Sequence, residues 1–160
     1  MIRAARADDV EFAFSMIVAL AEYERAPGAV AGSPALLREA LFGQRPTAEV
    51  LIAERDGQRI GFALFYGTFS TWECRPGIWL EDLFVIPEHR RGGAGEALLR
   101  RVAQIAVDRG ATRLEWVALD WNVPALSFYE KLGAEVLDDW LQHRLDGSGL
   151  RAFAAGADEE

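Results

Sequence analysis

The sequence predicts an α/β fold in one domain, with a mixed sheet that is parallel at its middle. Three observations carry this. Strand-like and helix-like segments alternate on both sides of the glycine segment Gly92–Gly95, and such strand–helix–strand units pair their strands in parallel. Upstream, two apolar runs flank Asp56-Gly57, a pair that tolerates the positive φ of a tight turn, so those strands form an antiparallel hairpin. The length of 160 residues suits one domain over 1–160 with one core, and no repeat, low-complexity stretch or linker divides it.

The elements follow in order. "MIRAA" is a short apolar strand. In "RADDVEFAFSMIVALAEYE", Asp8 or Asp9 caps a helix whose Phe12, Met16, Val18 and Leu20 recur at helical spacing. "APGAVAGS" breaks it, and "SPALLREALFG" starts another, with Ser33 as N-cap, Pro34 at its first position and Gly43 past its end. "EVLIAERDGQRIGFALFYGTF" is the hairpin. "GIWLEDLFVI" is a strand, nearly continuous in apolar residues and ended by Pro87. "GEALLRRVAQIAVDRG" is a helix closed by Gly110. "TRLEWVAL" reads as a strand, "VPALSFYEKLG" as a helix closed by Gly133, and "WLQHRL" as a late strand, giving the order βααβββαβαβ. Trp79, Trp116 and Phe62 read as sheet core, and Trp121 as core or edge packing.

Composition narrows the function. The net charge of −8 repels nucleic acid and anionic membranes and favours a cationic partner. One cysteine, Cys74, excludes an internal disulfide and a multi-cysteine zinc site, and reads as a surface thiol on a loop. His89 and His143 suggest neither a metal site nor a catalytic dyad, so no metal is expected. The opening lacks a long apolar run, and no segment approaches the roughly 18 apolar residues of a membrane span. The expectation is a cytoplasmic protein that binds neither membrane nor nucleic acid.

"EHRRGGAGEALL", Glu88 to Leu99, sets two arginines and three glycines before an apolar helical run. Glycines at such a junction expose backbone N–H groups, and the helix start adds partial positive charge, a combination that holds phosphate. A Walker loop needs a lysine, which this stretch lacks, and a dinucleotide fingerprint needs a glycine where Leu98 stands. Arg-x-x-Gly-x-Gly remains, from Arg90 to Gly95. On the loop alone, a phosphate cradle and a glycine-rich turn with solvated arginines both stay open.

Three elements together resemble the GNAT superfamily of acyl-coenzyme A-dependent N-acetyltransferases. "LEDLFVIPEHRRGGAGEALL" is similar to its strand, pyrophosphate loop and helix. "WNVPALSFYEKLGAE" is similar to its second coenzyme-contacting segment, and "IRAARADDVEF" to its usual opening. Within it, "ALAEYE", "GFALFY", "WLEDLFV" and "WNVPALSFY" resemble the diamine (spermidine/spermine, thialysine) acetyltransferase branch. The resemblance implies a sheet of about six or seven strands flanked by about four helices, splayed between two central parallel strands. It implies acetyl-CoA as cosubstrate. Leu83, Phe84 and Val85 would serve the pantetheine arm, through the backbone of Phe84 and Val85. Arg90, Arg91, Gly93, Ala94 and Gly95 would hold the pyrophosphate, and Asn122, Phe128 and Lys131 would contact the coenzyme. Tyr129 would be the general acid, and Glu81 would deprotonate the amine through water. Glu24, Trp72, Asp82 and Trp140 would bind the acceptor, and Asp138-Asp139 loosely match further acids of the amine channel. A homodimer joined through C-terminal strands is also implied. The comparable loop "TFSTW" carries Ser70 where some polyamine acetyltransferases carry an acid, and lacks their proline.

The chemistry stands without the name. A lysine-like amine has a pKa near 10.4, so at pH 7 about one molecule in 2,500 is neutral and nucleophilic. A proton acceptor therefore removes roughly 4–5 kcal/mol of barrier. Glu81 and Asp82 are candidates, and alternation along a strand is expected to turn them to opposite faces. Glu81 is favoured as the base and Asp82 as a substrate-binding or structural acid, and which of the two is the base stays open. The leaving thiolate matches a phenol, and Asn122 and Tyr129 stand two helical turns apart, so both face one side. The expected reaction is acetyl transfer to a small cationic amine, a short diamine or polyamine or a lysine-like amino acid. A protein amine or an antibiotic as acceptor, and a non-catalytic acyl-CoA-binding module, are the alternatives.

Overall fold

A computed structural model describes residues 1–156. They fall into two compact units, Met1–Leu119 and a second beginning at Asp120. The first holds a sheet of five strands in chain order: β1 (Ile2–Ala4), β2 (Glu49–Arg55), β3 (Gln58–Ser70), β4 (Arg75–Val85) and β5 (Leu114–Glu115). Pairing from β1 to β4 is antiparallel, and β4 to β5 is parallel. Helices α1 (Val10–Tyr23), α2 (Pro34–Phe42) and α3 (Ala94–Asp108) complete this unit, and α4 (Val123–Lys131) and α5 (Gly147–Ala154) belong to the second.

Local chemistry explains most boundaries. Asp56 and Gly57 turn the β2–β3 hairpin with φ of 51° and 76°. Ser33 Oγ accepts from the Leu36 N–H at 3.3 Å ahead of Pro34, so α2 starts where its cap is. Gly110 at φ 68° follows α3, and Gly133 at φ 80° follows α4.

Both faces of the sheet are covered, which is why β2 reads as a nearly continuous apolar run. Val50, Ile52, Phe62, Leu64 and Phe84 pack with Ala13 and Met16 of α1 and Leu41 of α2. The alternate residues Leu51, Ala53, Ala63 and Phe65 are equally buried, on the face turned toward α3 with its buried Leu98, Leu99, Val102 and Ala106.

Several expectations are corrected. Among the described residues the sheet has five strands rather than six or seven, its parallel pairing of β4 with β5 lies at the edge rather than the middle, and five α-helices stand where about four were expected. The strand expected over 112–119 pairs only at Leu114 and Glu115, opposite Ile78 and Trp79. Beyond it Val117 and Leu119 are exposed, so no buried face prolongs the ladder. The late strand "WLQHRL" takes no regular form. Leu141 and Leu145 are exposed there, and alternation without a partner strand or a covered face does not make a strand. The chain forms α5 instead, after Asp146 at its N-cap position.

Asp9 is also used differently. Its side chain makes no helix-capping hydrogen bond to α1 and is fully buried in an ion-pair network. It accepts from the Arg6 N–H at 2.7 Å, from Arg3 at 2.6 and 3.0 Å, and pairs with Arg59 Nε at 2.7 Å. Arg3 in turn reaches Glu54 at 2.5 Å. This carboxylate ties β1 and β3 to the start of α1, and Arg3 extends the network to Glu54 of β2.

Candidate functional site

The glycine segment leaves β4 through a short 3-10 turn, Pro87–His89, and enters α3. Arg91 sits at φ 61° and Gly93 at φ 78°, two left-handed residues that fold the backbone sharply just before the helix. Gly93 is the N-cap and supplies no side-chain cap. The first N–H groups of α3, on Ala94, Gly95 and Glu96, therefore lack an intrahelical acceptor, as the first turn of any helix does. A β-carbon on Gly93 would meet nothing within 4 Å, so the space beside this turn at the start of α3 is open. The donor set, the open cradle and the positive end of a 15-residue helix fit the pyrophosphate of a coenzyme. Arg55, at the end of β2, donates to the Gly92 carbonyl at 3.1 Å, and its guanidinium fills the place a Gly92 β-carbon would need. That support was not evident in the sequence, because it comes from a hairpin 37 residues away.

The two arginines of the loop are placed differently. Arg91 is exposed. Arg90 turns back: its Nε donates to the Val85 carbonyl at 2.9 Å, and its guanidinium lies 4.9 Å from the Tyr23 ring centre and 5.0 Å from that of Phe84. The parallel contact of β4 with β5 ends at Trp79, so along Leu80–Val85 β4 carries no strand on that side among the described residues. The Ile86 N–H bonds to the Ile60 carbonyl on β3. Alternation then turns the backbone groups of Leu83 and Val85 to the open side, and those of Phe84 toward β3.

Glu81 and Asp82 do not obey simple alternation. Leu80 stands opposite Phe65 and Asp82 opposite Leu64, so Glu81 is an extra residue in a β-bulge. Directly opposed residues share a face. Tyr66 and Leu64 lie on the face packed by α1, hence so do their partners Trp79 and Asp82. Glu81 joins them: its Oε2 accepts from Trp79 Nε1 at 2.9 Å and from Tyr66 Oη at 3.1 Å. The expectation of opposite faces is therefore corrected, and the bulge is the reason. Burial raises the Asp82 carboxyl to about 6, with the charges of Glu81 and Glu24 adding to it. Glu24, at the C-cap of α1, is also raised by burial. Three carboxylates thus converge electrostatically on one face. Trp79, read as core, is in fact a donor to this group, and Tyr66 is a member the sequence did not single out.

In the second unit, Asn122 caps α4: its Oδ1 accepts from the Ala125 N–H at 3.4 Å, with Pro124 in the first turn. Phe128 and Tyr129 are half-buried, with ring centres 5.3 Å apart. Lys131 is exposed at the last turn, and Trp140 is exposed in an irregular segment. Trp72 is exposed in the turn after β3. Ser70, expected to border an acceptor channel, is only 2% exposed, and its Oγ accepts from the Glu73 N–H at 3.3 Å. It caps a turn. Cys74 is an exposed thiol. Among the described residues no group of His, Cys, Asp and Glu is arranged to hold a metal ion, and no helix is long and apolar enough to cross a membrane.

Residues 17–134 match the family described as Acetyltransferase (GNAT) family. The chain is 37% identical over 165 residues to the thialysine N-epsilon-acetyltransferase of Bos taurus, with 96% of each chain covered. It is 42% identical over 93 residues to an L-ornithine N5-acetyltransferase of Arabidopsis thaliana, covering 58% of this chain and 41% of that one. Among solved structures, an integron cassette protein from the mobile metagenome of V. cholerae shares the fold with a TM-score of 0.80, at 25% identity over 96% of both chains.

Proposed function

The chain belongs to the GNAT acetyltransferase family and is an N-acetyltransferase using acetyl-CoA; we propose that its acceptor is a primary amine of a small cationic molecule, a lysine-like amino acid or a short diamine. The observation that carries this is the bulge in β4, which sets Glu81 and Asp82 on one face within the electrostatic reach of Glu24. An ammonium is the complement of such a group. The relatives' names, which include thialysine and ornithine as acceptors, support the same class.

When bound, acetyl-CoA supplies the acetyl group as a thioester whose sulfur departs with the bonding electron pair. In this reading the first-turn N–H groups of α3, with Arg91, Gly93, Ala94 and Gly95, hold the pyrophosphate, and Leu83 and Val85 offer backbone groups along β4. Arg90, Phe84, Asn122, Phe128 and Lys131 complete the coenzyme set. The carboxylate pair of the bulge binds the ammonium and takes one of its protons. The freed nitrogen lone pair forms the C–N bond as the C–S bond breaks. Tyr129 gives its phenol proton to the departing sulfur and is restored by the second proton the nitrogen sheds. The balance is one amide, one thiol and one proton released. Trp72 and Trp140 serve the alkyl part of the acceptor. A homodimer belongs to the same reading, and mass in solution at micromolar concentration tests it.

The test is acetyl-CoA consumption across lysine analogues, diamines, polyamines and peptides. Turnover is expected with lysine-like and short diamine acceptors. Turnover confined to peptides or to neutral amines would overturn the reading. Tyr129→Phe should lower kcat by about 10²–10⁴ while acetyl-CoA binding stays near wild type.

A further inference from the structure

In the loop, the backbone explains Gly93 but not Gly92. Gly93 sits at φ 78°, in the left-handed region, whereas Gly92 lies outside it and could carry a side chain without backbone strain. What Gly92 provides is room. A β-carbon there would lie 2.9 Å from Nη1 and 3.0 Å from Cζ of Arg55, and closer still to Nη2. Arg55 Nη2 donates to the Gly92 carbonyl at 3.1 Å. The guanidinium therefore stands where a side chain of residue 92 would begin.

Strand register brings it there. Arg55 ends β2 opposite Gln58, across the Asp56-Gly57 turn, and Gly61 of β3 stands opposite Val85 at the end of β4. The chain leaves β4 beside this hairpin, where the Ile86 N–H bonds to the Ile60 carbonyl at 2.9 Å.

We propose that Arg55 is a coenzyme-binding residue supplied by the hairpin: it takes the place of the side chain Gly92 lacks, holds the loop by its carbonyl and gives the pyrophosphate a further cation beside Arg91. This rests on the loop reading above and adds to it a residue from outside the loop.

The charges around the cradle suit that role. Arg90 is engaged with the Val85 carbonyl and the rings of Tyr23 and Phe84. Glu96, the acid in the first turn of α3, is paired with Arg100. A guanidinium carries five N–H donors in a fixed fork, and among the described residues Arg55 uses one of them, on Gly92. The others remain for phosphate oxygens, which the fork matches in bidentate geometry. On a chain of net charge −8 the average surface repels a pyrophosphate, so each cation at its seat counts. Arg55 is itself exposed, so the fold loses little when it is replaced.

The experiment is calorimetric titration of acetyl-CoA into the protein without acceptor, which reads Kd apart from turnover. Arg55→Ala should raise Kd about five- to thirtyfold, with the melting temperature of the free protein nearly unchanged. Arg55→Lys keeps the charge without the fork and should fall between the two. Gly92→Ala should raise Kd by a similar factor in the wild type, because its β-carbon displaces the guanidinium, and should do little in the Arg55→Ala background. With acetyl-pantetheine, the coenzyme cut before its phosphates, Arg55→Ala should keep the wild-type kcat/KM; kcat at saturating acetyl-CoA should also stay near wild type. An unchanged Kd in Arg55→Ala, while Gly93→Glu abolishes binding, would overturn this assignment alone. So would additive effects of Gly92→Ala and Arg55→Ala, or equal losses with acetyl-CoA and acetyl-pantetheine. Acetyl-CoA binding that Gly93→Glu leaves intact would overturn the loop reading itself.

Discussion

Two acids of the first unit are treated in opposite ways. Asp9 is fully buried, yet Arg3, above all through its hydrogen bonds, holds its carboxyl below the usual range, and the Arg6 N–H and Arg59 help. Asp82 is less buried, yet its carboxyl is pushed up, because what acts on it is burial together with two further negative charges. Burial alone therefore does not decide the state of a carboxylate; the partners do. The contrast separates structure from function. Asp9 ties strands and a helix together, and no acceptor is needed to satisfy it. Asp82 is left electrostatically unfavourable, and a cationic ligand relieves it.

The largest expected effect breaks the Asp9 side. Asp9→Asn leaves Arg3 and Arg59 facing a neutral amide in a buried site, and losing one partner of such a network costs about 3–5 kcal/mol. Denaturant unfolding should show that loss, with kcat of the folded fraction unchanged. The pH dependence follows. A depressed folded pKa contributes stability that is present above the unfolded value near 4 and lost as pH falls through the folded one. Wild type and variant should therefore converge in acid. Equal stability at pH 7 would mean that the network is ornamental.

Next in size is a control that touches neither acid. Acetyl-CoA at about a hundredfold excess over its Kd should stabilise the wild type by roughly 2.7 kcal/mol. Gly93→Glu should abolish this shift, because the residue sits at φ 78° at the start of α3, a side chain there enters open space, and its negative charge repels a phosphate held by the helix start. Gly93→Ala shares the backbone strain without the charge and should keep part of the shift. If the glutamate variant kept the whole shift, the loop would not be the coenzyme's seat.

The loop was legible in the sequence, and the acid pair was only half so. Arg90 to Gly95 is a contiguous pattern whose chemistry lies largely in its own backbone, so the residue string carries it. Ser33-Pro34, Asp56-Gly57 and Gly110 were legible for the same reason: a cap or a turn is decided by a few adjacent residues. The mutual placement of Glu81 and Asp82 depends on one bulge, and nothing local in "WLEDLFV" marks it. The bulge arises from how β3 registers against β4. Tyr66, Trp79 and Arg55 became visible only once distant strands were aligned. The late strand failed for the complementary reason. Alternation in "WLQHRL" is a local signal, but a strand is a partnership, and Leu141 and Leu145 found no buried face.

Smaller, and opposite in sign to the Asp9 change, is the stability effect of Asp82→Asn. A folded pKa of about 6, raised from the usual value near 4, contributes stability that is full below about pH 4 and lost as pH rises through 6. Above pH 7 the wild type therefore carries an unfavourable carboxylate that the amide removes. Discounted for its partial exposure, the gain at pH 8 is about 1–3 kcal/mol, and it should vanish below pH 4. Thermal melts at both pH values check this. A variant that is less stable at pH 8 would place Asp82 with Asp9, among the structural acids.

The smallest expected effect concerns acceptor length, and it turns on Ser70. A carboxylate at that position would be the natural way to hold a remote ammonium of a long polyamine, but Ser70 is 2% exposed and its hydroxyl oxygen caps the Glu73 N–H. It therefore offers nothing to an acceptor, and the acids that do converge are Glu24, Glu81 and Asp82, all near one end of the bulge. A molecule with one or two ammonium groups can be matched by this set. Further ammonium groups of a spermine-sized chain add little here, since exposed charge contacts are worth about 0–1 kcal/mol each. The expected outcome is that kcat/KM for a lysine-like or putrescine-sized amine equals or exceeds that for spermine, by up to about tenfold. Ser70→Asp should not move this preference; it should instead destabilise the protein by about 1–3 kcal/mol, because it places an acid at a position that is 2% exposed. Measuring kcat/KM for the three amines on both proteins, with melts in parallel, decides the point. A wild type that strongly prefers spermine, or a Ser70→Asp variant that stays stable and gains spermine activity, would show that the acceptor path runs past Ser70 after all.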